Sequence, residues 1–109
     1  MTGVQTCALP ISGDPRAQAV PVEVTTLDAQ FASGLTISDA AVKIDVEGLE
    51  AKVLAGGLHF LTRVRPALAI DIHANPFGEG TTENDVRQIL SPLGYQFNKL
   101  GHVLVCHVL

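Results

Sequence analysis

The sequence predicts an α/β domain built on a mainly parallel sheet that closes with an antiparallel pair of strands. Three observations lead there. Short, nearly continuous apolar runs at Ala41–Asp45 and Ala67–Ile72 have the length and composition of buried strands. Amphipathic stretches with apolar residues at helical spacing alternate with those runs. The chain from Tyr95 to Leu109 then divides about Gly101 into two further apolar runs, too close together for a crossover and therefore antiparallel.

Residues 13–20 read as a polar lead-in. Val22 and Val24 flank Glu23, which suits a short strand with one solvated face. Thr25 with Asp28 fits a capping box and predicts a helix over Leu27–Ala32, with Leu27 and Phe31 on its inner face and Gly34 at its end. After the strand at Ala41–Asp45, Leu49, Val53, Leu54, Leu58 and Leu61 recur at helical spacing, and Pro66 stops that helix by or before Arg65. Gly56 and Gly57 lie inside it and cost about 1 kcal/mol each relative to Ala. Two such residues predict either unusually close packing on the sheet or a local weak point. Ala67–Ile72 is apolar except for Asp71, and a loop with Asn75, Pro76, Gly78 and Gly80 follows His73. Thr82 with Asp85 fits a second capping box. It opens a helix carrying Val86, Ile89, Leu90 and Leu93, which Pro92 strains and Gly94 ends. Tyr95–Leu100 and His102–Leu109 form a closing hairpin. The order is β-α-β-α-β-α-β-β, with right-handed crossovers expected.

Composition narrows the function. At 109 residues the chain holds one domain at most. Apolar residues make up 47% and charged residues 17%, which excludes a disordered chain. Seven Lys and Arg against eleven Asp and Glu give a net charge of −4, with no basic stripe to neutralise phosphates, so no nucleic-acid partner is expected. No apolar run approaches the ~20 residues of a membrane span. Cys7 and Cys106 are too few for a disulfide framework, and Cys106 reads as a small buried hydrophobe. Residues 1–12, MTGVQTCALPIS, carry no charge and no period. They resemble an in-frame translation of a sequencing adapter, or an ordinary floppy tail, and residues 13–109 are expected to hold the domain.

Chemistry in open α/β sheets gathers beyond the C-terminal ends of the strands. Two such ends carry polar groups here: Asp45-Val46-Glu47-Gly48, and Asp71-Ile72-His73 with Asn75 just after. If the two strands are neighbours, Asp45, Glu47 and His73 converge, and carboxylates with an imidazole can position a hydroxyl or take its proton. The blander reading has Asp45 capping the following helix and Glu47 and Glu50 favouring its positive N-terminus. Asp45, Glu47 and His73 are suitable metal ligands, but their spacing is not diagnostic, and no metal is assigned. His59 is expected to be exposed, and His102 and His107 suggest no shared ligand set. Gly78-Glu79-Gly80 is too weak a signal for a phosphate loop, and there is no nucleophile elbow.

The stretch VKIDVEGLEAKVLAGG resembles the C-terminal half of the FkbM-type methyltransferases. That family has a hydrophobic strand entering Asp-Val-Glu-Gly, here Asp45 to Gly48, followed by a helix matched by Glu50, Val53, Leu54 and Gly56. Arg65-Pro66, Asp71-Ile72-His73, Leu93-Gly94-Tyr95 and the VTTLD of Val24–Asp28 extend the likeness over roughly residues 20–100. At Asp71 the family more often has Glu. The resemblance implies an incomplete Rossmann-like methyltransferase fold and a cytoplasmic enzyme. It implies S-adenosylmethionine as cofactor and a hydroxyl of a small molecule or glycan as methyl acceptor. Asp45, Glu47 and His73 would then be catalytic, and Asp71 and Asn75 substrate-binding. The cofactor-binding strands and their glycine turn are expected upstream of residue 13, so this polypeptide alone is expected to be inactive and to expose the edge of a central strand. The competing readings are a small non-catalytic α/β interaction module and a metal-dependent hydrolase using the same three residues.

Overall fold

The computed structural model describes residues 5–10, 19–32 and 39–108. Gly34, most of the polar lead-in and Leu109 lie outside the described residues. The elements are β1 (Gln5–Pro10), β2 (Ala19–Val24), α1 (Leu27–Gln30), β3 (Ala41–Ile44), α2 (Glu50–Ala55) and α3 (Leu58–Val64). They continue with β4 (Ala67–Asp71), α4 (Glu83–Leu90), a 3₁₀ turn (Ser91–Leu93), β5 (Tyr95–Leu100) and β6 (Val103–Val108).

The main sheet has four strands in the order β3-β4-β6-β5. β3 and β4 pair in parallel, whereas β6 runs antiparallel to both β4 and β5. The sheet is therefore mixed rather than mainly parallel, although β3, β4 and β5 share one direction. The reason lies in the closing hairpin. Leu100 pairs with Val103 across a two-residue loop, and Gly101 supplies the positive φ of 64° that such a loop favours. β6 must then return beside β5. It is also the more apolar of the two, with Leu104 and Cys106 buried, while β5 exposes Gln96, Asn98 and Lys99. β6 accordingly takes the interior position, between β4 and β5, and the polar strand takes the edge.

The sheet register places Ile44 opposite Ile70, Ile70 opposite Leu104, and Leu68 opposite Cys106. These residues form one face and join Leu54, Phe60, Leu61, Val64, Val86 and Leu90 in a single aliphatic core. Tyr95 closes one end of it, donating its buried hydroxyl to the Pro66 carbonyl at 2.7 Å. Burial pushes the Cys106 thiol up to about 11, which makes it an inert core residue, as expected.

Four further expectations need correction. β2 does not belong to the main sheet. It pairs antiparallel with β1, and Val20 and Val22 stay exposed, so its alternation has no core to meet. β1 itself arises in a segment for which the sequence predicted no element, and backbone pairing with β2 is what organises it. The long helix predicted from Leu49 to Arg65 is broken at Gly56-Gly57 into α2 and α3. The close contact at that break is with α1 rather than with the sheet: a Cβ on Gly57 would lie 2.8 Å from Leu27 Cδ1. Neither capping box forms. Thr26, rather than Thr25, caps α1, while Asp28 reaches across to accept from the backbone N–H groups of His59 and Phe60 at the start of α3. Thr82 precedes α4 without capping it, and its backbone N–H donates to the His73 carbonyl at 3.0 Å. Pro92 converts the end of α4 into the 3₁₀ turn, and Gly94 ends it in the left-handed region. Among the described residues, no helix is long and apolar enough to cross a membrane.

Candidate active site

β3 and β4 are adjacent and parallel, so their C-terminal ends open at the same edge of the sheet. The chain leaves β3 through Asp45 and Val46 into a tight turn closed by the Leu49 N–H on the Val46 carbonyl at 3.2 Å. Both central residues of the turn have positive φ, 53° at Glu47 and 100° at Gly48. Glu47 is thus a non-glycine residue in a conformation that costs energy, a feature that concentrates at functional sites. Gly48 is required for a second reason. A Cβ there would lie 2.8 Å from Pro76 Cδ and 3.1 Å from the Ala74 carbonyl, so the turn is wedged against the loop after β4.

That loop is itself braced. Ala74 bridges Thr81, the Asn75 N–H donates to Gly80, and the Thr82 N–H donates to His73. Asn75 Oδ1 accepts from the Phe77 N–H at 2.9 Å. The carbonyl oxygen of the Asn75 side chain is therefore occupied by the loop.

His73 is the hub. Its Nδ1 hydrogen-bonds the carboxylate of Glu50, which is fully buried at the first position of α2. Its Nε2 lies 3.4 Å from Asp45 Oδ1 and 3.5 Å from Glu47 Oε2. The hydrogen bond to Glu50 raises the His73 pKa above its ordinary value. Burial opposes this, and the charges of Glu50, Glu47 and Asp71 reinforce it. Asp71 is mostly buried at the end of β4, and His102 from the hairpin loop brings Nε2 within 3.1 Å of its Oδ1. One ligand atom each from Asp45, Asp71 and His73 lies within 4.8 Å of the others.

The structure thus brings together Asp45, Glu47, Asp71 and His73, with Asn75 two residues beyond in the braced loop. Asp45 does not cap α2, whose N-cap is Leu49 with no side-chain hydrogen bond. Two members escaped the sequence reading. By spacing alone Glu50 is a charge that favours the helix N-terminus, and its burial is what makes it the partner of His73. His102 was expected to share no ligand set. It arrives because β6 runs beside β4, which places the hairpin loop at the end of that strand. His59 is exposed, as expected.

The arrangement is a carboxylate-rich edge around one oriented imidazole, suited to holding a hydroxyl and receiving its proton. A hollow of about 350 Å³ lies elsewhere, against Asp28, Phe31, His59, Phe60 and Arg63, and shares no residue with this cluster.

Comparison with known families matches residues 4–97 to the methyltransferase FkbM domain. No curated protein and no solved structure matches the chain. The match spans most of the sequence and includes both strand ends that build the His73 cluster. The chain belongs to the FkbM methyltransferase family.

Proposed function

We propose that the chain supplies the acceptor side of a methyl transfer from S-adenosylmethionine to a hydroxyl oxygen of a small molecule or glycan, in the cytoplasm. The observation that carries this reading is the convergence of Asp45, Glu47, Asp71 and His73 at the C-terminal ends of two adjacent parallel strands. A hydroxyl oxygen attacking a methyl group must shed its proton. Glu50 accepts from Nδ1 of His73, which leaves Nε2 as the basic nitrogen on the side of Asp45 and Glu47. His73 takes the proton at Nε2, and the surrounding carboxylates stabilise the imidazolium that results. Asp45 accepts a hydrogen bond from the hydroxyl and aims it. Glu47 and the Asn75 amide hold neighbouring hydroxyls of the acceptor.

The described residues do not fit a donor site by themselves. They hold no glycine-rich turn after a strand, and the hollow of about 350 Å³ lies apart from the cluster.

The reading is tested in a chimera in which residues 20–108 replace the matching part of a complete FkbM methyltransferase. His73→Gln is expected to lower turnover by about 10²–10⁴-fold, with donor affinity unchanged. Asp45→Asn is expected to lower it less. Turnover unaltered by both substitutions would overturn the proposal.

A further inference from the structure

We propose that His102 is a positioning residue for proton removal: set on Asp71, it draws that carboxylate's charge away from His73 and leaves the imidazole free to take the acceptor's proton. His102 lies beyond residues 4–97, the stretch matched to the family domain. It belongs to the two-residue loop between β5 and β6, which the pairing of Leu100 with Val103 closes. Its carbonyl accepts from the N–H of Ile72, the residue between Asp71 and His73, at 2.8 Å. The backbone of His102 is thereby tied to the end of β4.

The side chain meets Asp71. Nε2 of His102 is 3.1 Å from Asp71 Oδ1. That oxygen is cut off from solvent and has no aligned hydrogen bond among the described residues. A buried carboxylate oxygen without a donor is costly, and the His102 ring is a donor within reach. The ring is 76% exposed, so it has room to turn its N–H onto the oxygen. Among the described residues no Lys or Arg forms an ion pair with Asp71, so His102 is what offsets its charge.

Asp71 bears on His73 in turn. Its carboxylate lies within 4.8 Å of a ring nitrogen of His73. The charged groups around that ring are Glu50 from α2, Asp45 and Glu47 from the turn after β3, and Asp71 from β4. The hydrogen bond from Glu50 does most to hold a proton on His73, burial opposes it, and the charges of Glu50, Glu47 and Asp71 add to it. Carboxylates beside the ring favour the imidazolium that proton removal creates. In excess they protonate Nε2 before the acceptor arrives, and a base that already holds a proton removes none. Offsetting Asp71 keeps the balance on the useful side. In that the proton is the acceptor's, the inference rests on the proposed methyl transfer; the coupling of His102 to His73 through Asp71 does not.

The test follows the ring resonances of His73 against pH in the full 109-residue chain, grown with isotope-labelled histidine. His102→Ala is expected to raise the midpoint of the His73 titration by about half a pH unit, because the charge of Asp71 then acts undiminished. Asp71→Asn is expected to lower it by a similar amount, and adding His102→Ala to Asp71→Asn should move it no further. His107→Gln, at an exposed position of β6, should leave it unchanged. The His102 ring is exposed, so His102→Ala keeps the fold and decides the proposal even where Asp71→Asn does not fold. A midpoint unmoved by His102→Ala overturns the proposal. So does an equal rise in the Asp71→Asn background, which makes the effect direct rather than through Asp71. In the chimera, the acidic limb of turnover against pH should move upward with His102→Ala by the same amount. The titration is read without turnover. A moved titration with no methyl transfer in the chimera therefore overturns the catalytic reading and leaves the coupling standing, whereas transfer whose limb ignores His102→Ala overturns the role of His102 alone.

Discussion

His73 joins the two strand ends, and its behaviour follows from one neighbour. Because Glu50 raises its pKa in the folded state, the interaction stabilises the fold fully at pH values below the unfolded pKa of about 6.5. The stabilisation is then lost as pH rises through the higher, folded value. Urea unfolding measured from pH 5 to pH 9 should therefore show stability falling over that window, and Glu50→Gln should flatten the fall. A profile identical in the two proteins would contradict the pairing. The sequence made His73, Asp45 and Glu47 legible, because a strand ending in an acid or an imidazole puts that group at the sheet edge whatever the details. It did not make Glu50 legible. A glutamate at a helix start is ordinarily solvated, and nothing local shows that this one points inward. Asn75 was legible as a polar loop residue, but not the Asx turn that occupies its carbonyl oxygen.

The helical layer depends on two small features that hydrophobic periodicity passes over. Gly56-Gly57 breaks one continuous pattern into α2 and α3, because α1 packs so closely there that Thr26 and Leu27 leave no room for a side chain. Asp28 then satisfies the N–H groups that the break exposes at the start of α3, 2.8 Å from that of Phe60. Gly57→Ala should cost about 1–3 kcal/mol through overpacking against Leu27. Asp28→Ala should cost about 0.5–2 kcal/mol through loss of the cap. Both are measurable by denaturant midpoint with unchanged slope, and neither cost appears if α1 does not dock at the break. The two glycines were legible as a demand for close approach, but their partner was not, since α1 is remote in sequence. The failed capping boxes have the same origin: Asp28 and Thr82 each had a tertiary partner that outcompeted the local one.

At the scale of the molecule, the alternation of strands and helices gives the α/β class correctly, whereas the neighbouring of β3 and β4 is only a condition in the sequence and is supplied by their parallel pairing. The mixed sheet does not follow from the alternation, because strand direction depends on where the closing hairpin returns, and the return was decided by the greater apolarity of β6. β3 lies at the edge of the four-stranded sheet, with no described strand paired to its outer side. The family match shows an FkbM methyltransferase chain; our proposal is that the edge formed by Asp45, Glu47, Asp71 and His73 receives a hydroxyl acceptor for methyl transfer. The most direct measurement is the product formed by the chimera from S-adenosylmethionine labelled at the methyl carbon, offered hydroxylated small molecules and glycans. The account predicts label bound to oxygen, formed at a rate that His73→Gln lowers by about 10²–10⁴-fold. Label on nitrogen or carbon, or a folded chimera that binds donor and transfers nothing, would contradict it.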